Sequence, residues 1–356
     1  MCVADFPSLG DHLVLLPLFD GLARRFPGCR IMAASRHEMI RVAADYGFID
    51  EVVLYRRVDL ELLRSVRRFA PQVSICMRRR SPRANLCFGR LSGARCTVGY
   101  RGVANWLWHT HLTPFREHEY RARRHLASLE TLGGSGDLRE TVRRLAKTSS
   151  WQPRSRPYGV LCPGGAWDRK QWGAARYAEV AGRLAELHPD LVWYAVLGPR
   201  EVELGYADAF RDTPVRIDVI ANAPIDDLGR IFMDATIVIA NDCGPAHLAQ
   251  MAGTPSVQPF DNSDGLNESV IRSWFDPRPG AICLTPREQA PIDRVSVEAV
   301  FEASRQVLDD PNVDLPPLAR SNSRGRILAS GRVSKGDRDG TEEVHGRADH
   351  HQAAGG

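Results

Sequence analysis

The fold is decided by the stretch Asn241-Asp242-Cys243-Gly244-Pro245-Ala246-His247-Leu248, which follows the apolar run 235–240 and continues to Gly253-Thr254-Pro255. The apolar run predicts a buried strand. Pro245 suits the first turn of a helix, where the missing N–H of proline costs nothing, and Gly253 is a typical helix end. The stretch therefore predicts a strand–loop–helix unit of an α/β protein.

The same stretch puts an acid and a glycine between the carboxyl end of a strand and the amino end of a helix. Ligands bind at such points in open α/β sheets, and the free N–H groups of the helix favour an anion, most often a phosphate. Asp242, Cys243 and Gly244 are therefore candidate site residues, and His247 in the first helical turn would add a donor. The alternative is an ordinary β-loop-α turn in which His247 only fills space, but the ordered pattern Asp-x-Gly-Pro-x-His-Leu favours a site.

This stretch resembles glycosyltransferase family 9, the bacterial heptosyltransferases of lipopolysaccharide core synthesis, whose pattern is Asp-Ser/Thr-Gly-Pro-x-His-Leu followed by Gly-Thr-Pro. A second segment, Pro163-Gly164-Gly165-Ala166-Trp167-Asp168-Arg169-Lys170-Gln171-Trp172, resembles the family's Pro-Gly-Ala-x-x-x-x-Lys-x-Trp. A third is Ser8-Leu9-Gly10-Asp11. The resemblance covers residues 1 to about 310 and implies the GT-B architecture, in which two Rossmann-like, doubly wound α/β domains face a cleft.

Alternating elements agree with this class of fold. A strand at 51–55, a helix at 59–69 and a strand at 73–77 favour a parallel, doubly wound sheet. The polar stretch 147–157 is typical of a linker. We therefore predict an acceptor-binding domain over 1–150 and a nucleotide-sugar-binding domain over 151–310. The resemblance implies that a closing helix at 297–308 returns towards the first domain.

The end of the sequence differs in character from the rest. Residues 318–356 are rich in Arg, Ser, Gly, Asp and His and contain almost no large apolar side chains. Such a segment buries too little apolar surface to offset the entropy cost of ordering. We predict a disordered tail over 311–356.

Composition is that of an ordinary globular enzyme, with 43% hydrophobic and 25% charged residues in 356. No apolar run approaches the roughly 20 residues that span a bilayer, and the start has no basic segment typical of a signal peptide. The eight cysteines lack C-x-x-C pairing, so reduced thiols are expected and a zinc site is not. His109 and His111 fit a surface strand or loop better than a metal site. We expect a cytoplasmic protein.

The net charge is +4, but basic residues are concentrated in the first half of the chain. The arginines concerned are Arg64, Arg67, Arg68, Arg78, Arg79, Arg80, Arg83, Arg90, Arg95, Arg101, Arg121, Arg123 and Arg124. They form either a solvated basic face or a surface that attracts an anionic partner. No aromatic-rich RNA motif or zinc finger is present, so nucleic acid is not expected. The family resemblance implies an anionic glycolipid acceptor and peripheral contact with the inner membrane face.

Two residues are candidates for catalysis. Asp11 opens a predicted helix, where an aspartate is commonly the N-cap, but the resemblance assigns the catalytic base to this position. Gly10 would let the backbone approach the ligand closely. Lys170, with Arg169 beside it, would face the diphosphate of the donor, and the backbone N–H groups of the adjacent Gly-rich loop, Gly164 and Gly165, would join it.

The remaining candidates concern the donor. Asp242 would hold sugar hydroxyls, while the Gly244 N–H and His247 would meet the phosphates. Glu201 or Glu203 would accept hydrogen bonds from the ribose, and Ala223 would line the base pocket. The Cys243 thiol lies at the start of a helix, so we expect a modestly lowered pKa and fast alkylation in the free protein.

These observations predict an inverting, metal-independent glycosyltransferase without a cofactor, which uses a nucleotide-sugar donor, ADP-heptose by family. The alternative enzyme is a nucleotide-sugar 2-epimerase, which shares the GT-B fold and needs no lipid acceptor. A third alternative is a non-catalytic protein that binds a nucleotide sugar or a lipid. The presence of both Asp11 and Lys170 argues against the third.

Overall fold

The computed structural model describes residues 2–4, 8–152, 154–211, 213–265, 268–286 and 288–313. Of the predicted tail over 311–356, residues 314–356 lie outside the described residues. The helices are α1 (Leu9–Leu13), α2 (Leu16–Arg25), α3 (Arg41–Asp45), α4 (Leu60–Phe69), α5 (Pro82–Phe88), α6 (Arg121–Glu130), α7 (Leu138–Leu145), α8 (Ala174–Leu187), α9 (Pro199–Glu203), α10 (Ile225–Asp234), α11 (Gly244–Ala252), α12 (Glu268–Trp274) and α13 (Val297–Asp309). The strands are β1 (Cys2–Ala4), β2 (Met32–Ser35), β3 (Glu51–Leu54), β4 (Val73–Cys76), β5 (Cys96–Tyr100), β6 (His111–Thr113), β7 (Tyr158–Cys162), β8 (Val192–Leu197), β9 (Ile217–Ala221), β10 (Ile237–Ala240), β11 (Ser256–Pro259) and β12 (Ala281–Leu284).

The strands form two six-stranded parallel sheets. The first has the order β3-β2-β1-β4-β5-β6, and the second has the order β12-β11-β10-β7-β8-β9. When the strands of each domain are numbered from its own start, both sheets have the doubly wound order 3-2-1-4-5-6. The strand order reverses between β1 and β4 in one sheet and between β7 and β10 in the other. These switch points are where doubly wound sheets bind ligands, and all three sequence motifs follow β1, β7 or β10.

The structure corrects the predicted first helix. The apolar residues Leu15, Leu18, Leu22 and Phe26 recur at helical spacing and predict one continuous helix over 11–26, whereas the chain forms α1 and then α2. Pro17 lies at the start of α2 and has no N–H to donate to the preceding turn, so a continuous helix loses a hydrogen bond there. The helix is interrupted and α1 remains a separate five-residue turn beside the first switch point.

Three clusters of buried apolar side chains stabilise the molecule. One lies on the outer face of the first sheet and another on the outer face of the second. The largest is continuous between the domains, since it includes Leu18 and Phe19 of α2, Val142 of α7, and Met251 of α11. The two domains therefore share an apolar interface on one side of the cleft.

Polar contacts fasten the connection between the domains. Thr148 donates to Asp226 at 2.7 Å, and the hydroxyl of Ser149 donates to Asp227 at 2.7 Å. Hydrogen bonds from the linker lower the pKa of Asp227, although burial opposes that shift.

Helix α13 packs on α8 and on strands β10–β12 of the second sheet, so the expectation that it returns towards the first domain is wrong. Its apolar side chains, among them Val300 and Val307, complete the outer core of the second sheet instead.

Candidate active site

A cavity of about 640 Å³ lies between the two domains. It brings together residues from all three sequence motifs: Gly10, Asp11, Gly164, Gly165, Lys170, Asp242, Cys243, Gly244 and His247. Glu201 and Ala223 also line it. Two of the candidates, Arg169 and Glu203, are not among its lining residues.

Asp11 has a carboxylate that points into this cavity rather than capping its own helix. The cap of α1 is Ser8, whose side chain accepts a hydrogen bond from the Asp11 N–H at 3.3 Å. The Ser8 hydroxyl in turn donates to Asp11 Oδ2 at 2.6 Å. The other carboxylate oxygen, Oδ1, forms an ion pair with Arg121. The alternative that Asp11 is merely an N-cap is therefore excluded.

Arg121 is a site residue that the sequence did not single out from the other arginines. Its guanidinium carbon lies 3.6 Å from the centre of the Trp274 ring, on the opposite domain. Burial lowers the pKa of Arg121 to about 10, although Asp11 opposes that shift. Arg121 thus links the carboxylate of the first domain to an aromatic wall of the second. No local pattern marks it, because its partners lie 110 and 153 residues away in the chain.

Lys170 reaches the cavity from the other side. Its Nζ lies 2.5 Å from Asp242 Oδ2, so the lysine of the second motif and the acid of the third form one ion pair. Arg169 points elsewhere: it pairs with Asp264 and is half-exposed beside the cavity. Both residues lie in a 3-10 turn, Asp168–Lys170, in which neighbouring side chains point about 120° apart. Arg169 is therefore absent from the lining of the main cavity, but it lines a smaller adjoining pocket with Lys170 and Asp242, and its contact with the diphosphate stays a prediction.

Helix α11 begins at the cavity, with Cys243 as its N-cap residue. Burial of the thiol raises the pKa of Cys243 to about 12, and the neighbouring Asp242 and Glu201 act in the same direction. A hydrogen bond from the Ala246 N–H and the charge of Lys170 oppose the shift but are smaller. The expectation of a lowered pKa is therefore wrong, because desolvation of a thiolate outweighs the attraction of the helix end.

His247 is buried, with only 2% of its surface exposed, and burial lowers its pKa below the usual value. The Tyr120 hydroxyl lies 3.1 Å from His247 Nδ1. The same hydroxyl lies 3.5 Å from the His247 backbone oxygen, to which it can donate, and burial raises its pKa. The other ring nitrogen, Nε2, lies 3.8 Å from Asp242 Oδ1. Burial therefore favours the neutral form of His247, which offers one ring N–H as a donor.

Glu201 is the acid that the second domain presents to the cavity. It is 8% exposed, and its Oε2 accepts a hydrogen bond from the Gly198 N–H at 2.9 Å. A Cβ at Gly164 would lie 2.6 Å from Glu201 Cδ, so only glycine fits there without moving the glutamate. Of the two candidates for contact with the ribose, Glu201 lines the cavity, whereas Glu203 is exposed and does not.

Asn241 holds the two motifs of the second domain together. This fully buried side chain donates to the backbone oxygens of Pro163 at 2.6 Å and Gly164 at 3.2 Å. Its Oδ1 accepts from the Tyr177 hydroxyl at 2.7 Å and from the Trp172 N–H at 3.3 Å. The Gly-rich loop after β7 is therefore fixed to the end of β10.

A second pocket, of about 580 Å³, lies in the first domain. Its lining includes the arginines Arg78, Arg79, Arg80, Arg121 and Arg124 and a single acid, Glu117. Arg121 lines this pocket and also pairs with Asp11, so the pocket adjoins the cavity at that residue. The position of the pocket suits an anionic group held close to Asp11.

Among the residues that the structure describes, no three His, Cys, Asp or Glu side chains are grouped so as to hold a metal ion. His109 is buried, whereas His111 is exposed at the start of β6. Within the described ranges, no helix combines the length and apolarity that a membrane span requires.

Comparisons with known proteins agree with this geometry. Residues 117–268 match the family model described as glycosyltransferase family 9 (heptosyltransferase). No curated protein sequence matches the chain. A solved glycosyltransferase family 9 structure from Veillonella parvula is 18% identical, covers 86% of this chain and 96% of its own, and superposes with a TM-score of 0.61.

Two further solved structures share the fold. E. coli heptosyltransferase WaaC with ADP-2-deoxy-2-fluoro heptose is 15% identical over 86% of this chain and 99% of its own, with a TM-score of 0.61. UDP-GlcNAc 2-epimerase from Methanocaldococcus jannaschii is 12% identical over 92% of this chain and 99% of its own, with a TM-score of 0.53. The superpositions establish the GT-B architecture. Together with the family match over residues 117–268 and the three motifs lining one cavity, they lead to the conclusion that this chain is a glycosyltransferase similar to those of family 9, the heptosyltransferases.

Proposed function

We propose that this glycosyltransferase moves a sugar from a nucleoside diphosphate donor, ADP-heptose by class, to an anionic glycolipid of the lipopolysaccharide-core type. Transfer inverts the configuration at the anomeric carbon. The observation that carries this proposal is that Asp11 and Lys170 line the same cavity from opposite domains. A base on one side and a cation on the other are what displacement of a diphosphate by a hydroxyl requires.

Asp11 acts as the base. Its Oδ2 accepts a hydrogen bond from the Ser8 hydroxyl, and its Oδ1 forms an ion pair with Arg121. These two contacts fix the orientation of the carboxylate. The acceptor hydroxyl gives its proton to Asp11 while its oxygen forms a bond to the anomeric carbon. The bond from that carbon to the diphosphate oxygen breaks with its electron pair, and the diphosphate leaves from the opposite face.

Lys170 and the start of α11 stabilise the leaving diphosphate. The lysine is paired with Asp242 in the free protein, so the two are placed to share contacts with the phosphates and the sugar hydroxyls. The first N–H groups of α11 and the ring N–H of His247 add neutral donors. We propose that these groups do the work that a divalent ion does in other transferases, and that neither a metal nor a cofactor takes part.

The nucleoside lies towards Glu201 and Ala223. Glu201 still has one carboxylate oxygen, Oε1, facing Gly164, and the glutamate suits the hydroxyls of a ribose. E. coli WaaC has been solved with ADP and with an ADP-heptose analogue, which supports an adenine nucleotide for this chain. The acceptor lies in the arginine-lined pocket of the first domain, since Arg121 joins that pocket to Asp11.

Two alternatives make different predictions. A 2-epimerase would convert the donor without an acceptor, and a binding protein would hold the donor unchanged. Because the chain shares its fold with the M. jannaschii epimerase, the experiment below also tests the epimerase alternative. The match to the family 9 model favours a transferase, because it spans the motifs that carry Lys170 and Asp242.

The decisive experiment combines binding and turnover. Thermal shift with ADP, UDP, GDP and CDP should show stabilisation by ADP, of about 2.7 kcal/mol at a hundredfold excess over Kd. Glu201→Gln should weaken that shift, whereas the matched exterior variant Glu203→Gln should not. ADP-heptose should be consumed only when a lipopolysaccharide-core acceptor is present, also in excess EDTA. Donor conversion without acceptor would establish the epimerase, and binding without turnover would establish the binding protein.

A further inference from the structure

The loop that follows β5 exposes three large apolar side chains within five residues. Val103 is fully exposed at 100%, Trp106 is 68% exposed and Leu107 is 43% exposed. Contiguous apolar groups on the surface of a globular protein mark an interaction site. The apolar tip, defined as Val103–Leu107, is therefore a candidate for contact with another surface.

The apolar tip is held in place and does not pack its large side chains on the core. Asn105 is 4% exposed and donates from its side chain to the backbone oxygens of Tyr100 at 2.8 Å and Arg79 at 3.1 Å. Just after the tip, His109 Nε2 donates to Asn85 Oδ1 at 2.8 Å. Buried polar groups thus fix both the middle and the end of the loop.

Arginines surround the base of the apolar tip. Arg101 is exposed at the start of the loop, and Arg79 lies beneath it, since a Cβ at Gly102 would lie 3.6 Å from Arg79 Cγ. Arg78 and Arg80 flank Arg79 in the arginine-lined pocket. The acid of that pocket, Glu117, lies 3.4 Å from Arg79 and offsets one charge. The excess is positive, which fits an anionic surface.

Sheet order relates the apolar tip to the catalytic carboxylate. The strands β1, β4 and β5 are neighbours and parallel, so the segments after them meet at one edge of the sheet. Asp11 follows β1, the arginines 78–80 follow β4, and the apolar tip follows β5. The arginine-lined pocket therefore lies between Asp11 and the tip.

We propose that the apolar tip inserts into the interface of an anionic lipid bilayer, with the arginines at its base against the lipid phosphates. Tryptophan prefers this boundary region, where its ring is partly apolar and its N–H stays hydrated. When the protein is docked in this way, the arginine-lined pocket faces the bilayer. The pocket can then bind the head group of a glycolipid acceptor whose lipid chains stay in the bilayer. The inference rests on the proposed function, in which the acceptor is a glycolipid.

Vesicle flotation tests the proposal. The full chain should bind vesicles of phosphatidylcholine with about 30% phosphatidylglycerol at low salt and bind pure phosphatidylcholine at least about tenfold more weakly. Trp106→Ser with Leu107→Ser should lower binding to the anionic vesicles by about tenfold or more. The matched control, Leu60→Ser with Leu204→Ser, removes apolar groups that are 67% and 54% exposed elsewhere and should bind like the parent.

A second variant guards against misfolding, and a second readout separates this inference from the proposed function. Val103→Asp changes a fully exposed side chain, so it should fold normally and still lose vesicle binding. Nucleotide binding, measured as the Tm shift with ADP, should be unchanged in all these variants. Equal vesicle binding by the tip and control variants would overturn the inference, as would a dimer of the parent that dissociates in the tip variants without any vesicle binding. Loss of the ADP shift in the parent would instead overturn the proposed function.

Discussion

Gly10 and His247 are in contact across the interface between the two domains. A Cβ at position 10 would lie 2.8 Å from His247 Cδ2, and 3.5 Å from the Cα of Gly244. The sequence assigned Gly10 to a close approach by the ligand, whereas here the close approach is also that of the opposite domain. The first and third motifs thus meet directly, next to the catalytic candidates.

Gly10→Ala should therefore disturb both stability and activity. The added methyl group has to displace a buried ring or separate α1 from α11, and overpacking of this kind costs about 1–3 kcal/mol. Gly182→Ala is the matched control, because a Cβ there meets only Pro214 Cγ at 3.6 Å and lies in α8. We expect a lower Tm and at least about a tenfold lower kcat for Gly10→Ala, and neither for the control. A Gly10→Ala protein with parental Tm and kcat would show that the interface between α1 and α11 accommodates the added methyl group without loss of stability or activity.

The ion pair between Asp11 and Arg121 predicts coupled effects on catalysis. Asp11→Ala should abolish transfer and leave donor affinity almost intact, because the base acts on the acceptor. Arg121→Gln should lower kcat by about 10²-fold through loss of carboxylate orientation, and the double variant should be no worse than Asp11→Ala. Arg123→Gln is the control on the same helix, since Arg123 pairs with Asp276 away from the cavity. A kcat of Arg121→Gln within about twofold of the parent would mean that Asp11 needs no orientation by Arg121.

Local patterns in the sequence were sufficient to predict the class of fold and the motifs around the cavity. An apolar run ending in Asn-Asp-Cys-Gly-Pro predicts a strand, a loop and a helix, because turn and helix-start chemistry is local. The segment 93–145 was not resolved into elements, and it holds β5, β6, α6 and α7. Arg121, Trp274 and Tyr120 act through partners on the other domain, and a single sequence contains no record of such distant pairings.

The differences between the predicted and the observed site have physical causes. Glu201 and Glu203 were both assigned from their position after β8, but only Glu201 lines the cavity, because residues two apart in a helix point in different directions. Arg169 follows the same rule, since it lines the smaller adjoining pocket and pairs with Asp264. The pKa of Cys243 was misjudged because the helix end is visible in the sequence, whereas the desolvation of the thiol by the residues packed around it is not.

Lys170 should contribute to both binding and catalysis. It meets the donor diphosphate in the ground state and in the transition state, so Lys170→Ala should raise the donor Kd and lower kcat, each by about tenfold or more. Arg169→Ala removes the adjacent cation, which pairs with Asp264 outside the cavity, and should leave both constants within about twofold. Isothermal titration with ADP and steady-state kinetics measure the two effects. Equal values of Kd and kcat for Lys170→Ala and Arg169→Ala would show that Lys170 does not bind the donor diphosphate.

Asn241 should determine how firmly the Gly-rich loop is held. Asn241→Asp retains the acceptor for Tyr177 but loses both donors to the Pro163 and Gly164 oxygens, at about 1–3 kcal/mol for each buried group left unpaired. Tyr177→Phe removes one bond from the same side chain and should cost about 1 kcal/mol. Urea unfolding should rank the variants in that order, and only Asn241→Asp should raise the donor KM. The reverse ranking would show that Asn241 is not the main anchor of the loop.

Cys243 lines the cavity but should be a slow nucleophile. With a thiol pKa raised to about 12, the reactive thiolate is about 10⁻⁴ of the total at pH 8, against roughly a quarter for an unperturbed thiol. A timed iodoacetamide pulse followed by peptide mapping should therefore modify the exposed Cys29 long before Cys243. The rate at Cys243 should rise about tenfold for each pH unit from 8 to 10, because only the thiolate reacts.

At pH 10, saturating ADP should slow the alkylation of Cys243, since the diphosphate would cover the thiol, and leave the alkylation of Cys29 unaffected. Fast labelling of Cys243 at pH 8 would contradict the buried thiol, whereas labelling at pH 10 that ADP does not alter would move the diphosphate away from α11.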